Sequence, residues 1–165
     1  LVFGCPKQRS IVPGHTFEHT WELTVEAFLS CIPALEDRGV TLCIEPLAPS
    51  ETDFINTHEQ AVRLVQTIGN AHFRMMLDVK AMASEEKPIP DIIRASRRYL
   101  AHFHANDANR RGPGFGDTDF VPILKALQGI GYDGHVSVEV FDFEPDGETI
   151  ASRSLDYLQG CLKRT

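Results

Sequence analysis

Thr41-Leu42-Cys43-Ile44-Glu45-Pro46 is a short apolar run that closes on a carboxylate and is turned at once by proline. Three further strand-like runs end on, or just after, a metal-competent side chain. Phe73 to Asp78 ends in Met76-Leu77-Asp78, Tyr99 to Asn106 contains His102-Phe103-His104, and His135 to Val140 contains Val136-Ser137-Val138-Glu139. Glu45, Asp78, His104 and Glu139 are thus separated by 33, 26 and 35 residues, each about the length of one strand–helix unit.

The intervening segments carry helical periodicity. Between Phe17 and Arg38, the residues Trp21, Val25, Phe28, Ile32 and Leu35 step by threes and fours, the spacing of one helix face. Pro33 falls inside that run and is expected to bend or break it, and Gly39 to end it. Thr57-His58-Glu59-Gln60 has the form of a capping box, followed by Ala61, Leu64, Val65 and Ile68. Further helices are predicted near Asp91–Arg98, over Asp119–Gln128 with Pro122 in the first turn, and at the end of the chain, where Ala151, Leu155, Leu158 and Leu162 form the apolar face. Leu1-Val2-Phe3 makes a first strand. Five β-α repeats without a break in composition predict an α/β fold with a parallel sheet flanked by helices. A closed (β/α) barrel and a doubly wound open sheet both fit that alternation.

The strand ends carry the chemistry. In a barrel the C-terminal ends of the strands open on one mouth. Singly, an acid at a strand end is a helix cap or the partner of a nearby cation, and a histidine there is a satisfied core residue. Four metal-competent side chains in phase are hard to assign to packing, because an ionisable group inside a barrel is costly unless paired or metal-bound. Three carboxylates and one imidazole suit Mn²⁺, Mg²⁺ or Co²⁺ better than a closed structural zinc. Such a centre can polarise a carbonyl while a neighbouring carboxylate moves the proton on the adjacent carbon. The Gly-rich loop Asp107–Thr118 carries Arg110 and Arg111 as candidate substrate contacts.

Composition narrows the alternatives. The 165 residues are 42% hydrophobic and 24% charged, an ordinary globular balance. Sixteen Lys and Arg against 23 Asp and Glu leave a net charge of −7, which argues against a nucleic-acid backbone as the partner. No apolar run approaches the roughly 20 residues of a membrane span, so no membrane partner is expected. Cys5, Cys31, Cys43 and Cys161 are scattered without a metal or disulfide pattern. This fits a reducing, cytoplasmic setting, with Cys31 and Cys43 expected to be buried thiols.

Ile44-Glu45-Pro46-Leu47, Leu77-Asp78-Val79, His102-Phe103-His104 through Asn109-Arg110, Pro113-Gly114-Phe115-Gly116-Asp117 and Val136-Ser137-Val138-Glu139 together resemble the sugar phosphate isomerase/epimerase group of the xylose-isomerase-like TIM-barrel superfamily. The resemblance runs over essentially the whole chain. It implies one (β/α) barrel domain over residues 1–165 that covers about five βα units, the C-terminal part of an eight-stranded barrel, with three N-terminal units absent. An open part of this kind would leave sheet edges bare, so a homo-oligomer is expected. The resemblance further implies a divalent ion, Mn²⁺ first with Mg²⁺, Co²⁺ or Zn²⁺ as alternatives, held by Glu45, Asp78, His104 and Glu139. Glu45 and Glu139 would also be the catalytic acid/base pair, acting on a small sugar, keto-sugar or sugar phosphate through an enediolate. Arg110, six residues beyond the ligand histidine, would bind substrate, with His102 and Lys80 as further pocket residues. The epimerases carry a second histidine three residues after the ligand aspartate. That position is Ala81 here, with Lys80 beside it. Two other functions fit the same barrel: an endonuclease IV-like phosphodiester hydrolase, and a non-catalytic truncated scaffold.

Overall fold

Strand order separates the two architectures. In a computed structural model, which describes residues 1–165, strands β1 (Val2–Phe3), β2 (Leu42–Ile44), β3 (Phe73–Asp78), β4 (Leu100–Ala105) and β5 (Val136–Val138) form one sheet in the order β1-β2-β3-β4-β5. β1 pairs with β2, β2 with β3, and β4 with β5, all in parallel. A doubly wound sheet reverses its order at a switch point. This one never reverses, which is the barrel pattern. The chain packs as two compact units, Leu1–Met76 with Tyr99–Ala101, and Leu77–Arg98 with His102–Thr165.

In the first unit, helix α1 (Phe17–Arg38) starts where Thr16 Oγ1 accepts the His19 N–H at 3.1 Å, and ends on Gly39 in the left-handed region at φ 60°. Pro33 does not break it. Proline removes one i→i−4 bond, and the carbonyl left over belongs to Leu29 on the exposed face, so the cost stays local. Trp21, Phe28, Ile32 and Leu35 form the buried stripe. Phe28 packs edge-on to Phe3 with centroids 5.2 Å apart, and against Phe73 at 4.7 Å. Each fully buried side chain of this size contributes about 1.5–3 kcal/mol. Helix α2 (His58–Ile68) is capped by Thr57, whose hydroxyl accepts the Gln60 N–H at 3.2 Å. The return bond of the expected capping box is shifted by one residue, since Gln60 Oε1 accepts from Asn56 N at 2.6 Å.

In the second unit, helix α3 (Val79–Met82) follows β3 directly, and α4 (Ile89–Ser96) starts two residues earlier than predicted, behind Pro88. Helix α5 (Phe120–Gly129) is capped by Asp119 and buries Phe120, Ile123, Leu124 and Leu127 as the periodicity predicts. Helix α6 (Gly147–Leu162), capped by Asp146, corrects its predicted face. It buries Ile150, Ser154, Leu158 and Cys161, while Leu155 and Leu162 are 55% and 45% exposed. Gly112 explains the rotation. A Cβ there would collide with Ser154 Oγ and touch Ile150, so a glycine-to-serine approach, not a leucine, sets the contact. Cys43 and Cys161 are buried, but Cys31 is exposed, contrary to expectation. No helix is long and apolar enough to cross a membrane.

Candidate metal centre

Asp78 is the last residue of β3 and is 1% exposed. Its side chain caps α3: Oδ1 accepts the Ala81 N–H at 2.8 Å, an N-cap bond that satisfies one of the helix's free donors. Its other oxygen accepts the Asn106 amide at 2.6 Å. His104 lies on β4, and Glu139 follows β5 with its own N–H donating to Ala105 O at 3.2 Å. His104 Nδ1 is 3.2 Å from Glu139 Oε2 and 3.9 Å from Asp78 Oδ2. Asp78, His104 and Glu139 therefore each offer a donor atom within 4.8 Å of the others.

The electrostatics suit a cation. Burial pushes the Asp78 carboxyl above its ordinary value, against the Ala81 N–H and the Asn106 amide, which both favour the charged form. The His104 imidazole holds Glu139 below its ordinary value, against the burial that opposes it. Two acids set this close, one of them fully buried, repel each other unless positive charge joins them. Glu139 Oε2, shut off from solvent, forms no hydrogen bond of good geometry. Oxygen and imidazole donors at this spacing fit a divalent ion that binds ligands at roughly 2.0–2.2 Å.

Glu45 lies in the first unit, one residue past β2 and 6% exposed. The β2–β3 register pairs Ile44 with Met75, which puts Glu45 at the strand-end level the sequence predicted. Lys80 and Arg110 both approach the Phe141 ring, Lys80 Nζ at 4.3 Å from its centroid and Arg110 Cζ at 5.5 Å. Phe141 is 38% exposed. Arg111 turns elsewhere, bonding Glu144 O at 2.9 Å and pairing with Asp142 at 3.4 Å. This separates the two arginines that composition alone treats alike. His102 is half-buried, edge-on to His104 with ring centroids 5.0 Å apart, and burial lowers its pKa, helped by His104 and His135. Ala81 is buried and contributes its backbone N–H to Asp78.

Two residues of this site lie within the motif from His102 to Arg110, and neither has a role expected from the sequence. Asn106, fully buried, accepts Lys80 N at 2.8 Å while donating to Asp78. Asp107, also buried, organises the Gly-rich loop: its carboxylate accepts Thr118 N at 3.0 Å, and its backbone exchanges bonds with Arg110 and Arg111. The Asp107-x-Asn109 spacing of an Asx turn is the one local hint. The loop is anchored on α6, with Tyr157 OH donating to Thr118 O at 3.0 Å. Arg110 is held there in the left-handed region at φ 71°, a conformation that costs a non-glycine residue about 1–3 kcal/mol and persists only where surroundings impose it.

Known proteins are similar to this chain in sequence and in fold. The chain is 37% identical over 121 residues to a D-psicose 3-epimerase of Ruminiclostridium cellulolyticum, covering 73% of this chain and 41% of that protein. It is 39% identical over 116 residues to a D-psicose 3-epimerase of Agrobacterium fabrum, covering 70% and 39%. The chain thus spans well under half the length of these relatives. Among solved structures, D-psicose 3-epimerase of Clostridium cellulolyticum H10 with D-tagatose superposes with a TM-score of 0.75 at 32% identity, covering 93% of this chain and 58% of that one. A 3-keto-D-glucoside 4-epimerase of E. coli, at 23% identity, shares the fold with a TM-score of 0.85 over 91% of this chain and 57% of that one. The family model described as xylose isomerase-like TIM barrel matches residues 2–161, and the chain belongs to that family.

Proposed function

We propose that this chain carries the metal centre and proton-transfer groups of a sugar epimerase that acts on a small ketose, keto-sugar or sugar phosphate. The observation that carries the reading is the convergence of Asp78, His104 and Glu139 at the strand ends. The relatives' names, D-psicose 3-epimerase and ketose 3-epimerase, favour proton exchange beside a carbonyl. Asp78, His104 and Glu139 would hold the ion, with Glu45 as fourth ligand and Mn²⁺ as the first candidate. When bound, the ion supplies positive charge that lowers the cost of a negative charge forming on neighbouring substrate oxygens.

The residues divide the remaining work. One of Glu45 and Glu139 takes the proton from the carbon beside the carbonyl, leaving an enediolate. The other returns a proton to the opposite face, which inverts that carbon with no net change in composition. Glu139 is suited to accept because its neighbour His104 keeps it in the anionic form. Arg110, fixed by the strained loop, anchors a substrate oxygen. Lys80 stands beside the position where the epimerases place a second histidine, and its ammonium takes the place of that donor. His102 lines the floor beneath His104.

The test is solvent exchange. With the Mn²⁺-loaded protein in D₂O, a ketose substrate should gain deuterium at the carbon next to its carbonyl. Glu139→Gln should abolish that gain while circular dichroism and melting stay unchanged. Undiminished exchange in the variant removes Glu139 from the mechanism.

A further inference from the structure

Glu45 is gripped from one side by the end of β1 and the turn after it, a short 3-10 segment over Pro6–Gln8. Its backbone N–H donates to Phe3 O at 3.2 Å. Its carbonyl accepts Arg9 Nη1 at 2.6 Å, and the same guanidinium nitrogen reaches Phe3 O at 3.5 Å. Its carboxylate lies across Gly4, where a Cβ would overlap Glu45 Oε2 outright and come within 2.9 Å of Cδ. Backbone nitrogen, backbone oxygen and side-chain tip are each met by a different residue of the stretch from Phe3 to Arg9.

Arg9 is an expensive way to make such a contact. It is 6% exposed, burial lowers its pKa to about 10, and Nε and Nη2 form no hydrogen bond. A buried guanidinium with donors unused costs the fold more than an apolar side chain of similar size. What it provides is a fixed peptide at Glu45. Gly4 works by omission. Any side chain there would occupy the space that the Glu45 carboxylate fills.

We infer that Gly4 and Arg9 are positioning residues for Glu45, Gly4 by leaving the cradle in which its carboxylate lies and Arg9 by fastening the peptide that carries it. The inference rests on the proposed role of Glu45 as a ligand. A ligand set in place before the ion arrives loses less freedom on binding, and residues that orient ligands are typically worth 10- to 100-fold in metal affinity. The collision at Gly4 is with the tip of a flexible side chain, so in Gly4→Ala it is Glu45 that gives way and not the backbone.

The experiment is calorimetric titration of the metal-stripped full chain with Mn²⁺ alone. Gly4→Ala and Arg9→Met are each expected to bind 10- to 100-fold more weakly, and Arg9→Lys, which keeps one cationic donor, to recover part of the loss. The deciding readout is a double-mutant cycle. In a Glu45→Ala background, residual binding by Asp78, His104 and Glu139 should not change further when Gly4→Ala is added. Undiminished affinity in Gly4→Ala, or an equal loss in both backgrounds, overturns the positioning role while leaving Glu45 a ligand. Wild-type affinity in Glu45→Ala overturns the ligand role, and the positioning role with it. If Gly4→Ala fails to fold, the Arg9→Met and Arg9→Lys pair in the same two backgrounds decides.

Discussion

Replacing Asn106 with leucine keeps the branched skeleton of a fully buried side chain and removes both of its hydrogen bonds, to Lys80 N and to Asp78 Oδ2. A bond to a charged group is worth about 1.5–3 kcal/mol, and a neutral one about 0.5–1.5. The Asp78 partner is deeply buried and the Lys80 amide only partly so, which gives a loss of about 3 kcal/mol from these bond values. For a chain of this size that is a fall in Tm of roughly 6–12 °C. The loss has a defined pH dependence. Asp78 already has a raised pKa, and removing the Asn106 donor raises it further. The variant is therefore worst at pH values where Asp78 is anionic, and the gap to wild type narrows as pH falls through the raised Asp78 pKa. Urea melts of the metal-stripped chain across that range measure it. Asn106→Asp, which keeps the acceptor for Lys80 but sets a second carboxylate against Asp78, should show the same trend more steeply. A loss under about 1 kcal/mol, or one that ignores pH, would refute the assignment of Asn106 as a group that, with the Ala81 N–H, favours the charged form of Asp78.

The remaining predictions concern other parts of the chain. Gly112→Ala should cost about 1–3 kcal/mol by overpacking against Ser154 and Ile150, read by chemical denaturation and partly relieved by Ser154→Gly. Arg111→Met should lower stability by about 0.5–1.5 kcal/mol through the lost bond to Glu144 O, whereas Arg110→Met should leave the melt within about 0.5 kcal/mol and weaken substrate binding. Asp146 has its pKa lowered by the Thr149 N–H. Its cap therefore stabilises α6 fully above about pH 4 and is lost as pH falls through the lowered folded value. In melts down that range, Asp146→Asn should be flatter with pH than the native chain. Thiol labelling of the folded protein should modify Cys5 and Cys31 and spare Cys43 and Cys161.

Much of this architecture is readable before folding, and the reasons are specific. Phe73–Asp78 is an apolar run that stops at a charge, and the structure begins and ends β3 on those residues. Thr16, Thr57, Asp119 and Asp146 are capping types, and each accepts a bond from the first turn of its helix. What escaped depends on partners far away in sequence. The face of α6 is set by its close approach to Gly112, which makes Ser154 a core residue and leaves Leu155 outside. Asn106 ends the strand-like run Tyr99–Asn106, where nothing local shows that Asp78, 28 residues back, will accept its amide. Arg9 looks like a surface residue because nothing local shows that Glu45, 36 residues on, will take one of its donors. Strand ends were legible because their chemistry repeats. The residues that orient those side chains were not, because each does so once.

Asp78 closes one turn of helix with one oxygen and faces the candidate ion site with the other. The amide hydrogens of Lys80 and Ala81 are held by Asn106 and Asp78 respectively, so their exchange with solvent requires this knot to open. Filling the site restrains the knot. Deuterium uptake at those two peptide groups then becomes a gauge of occupancy, legible in a chain that turns over nothing, at backbone positions that never touch the ion.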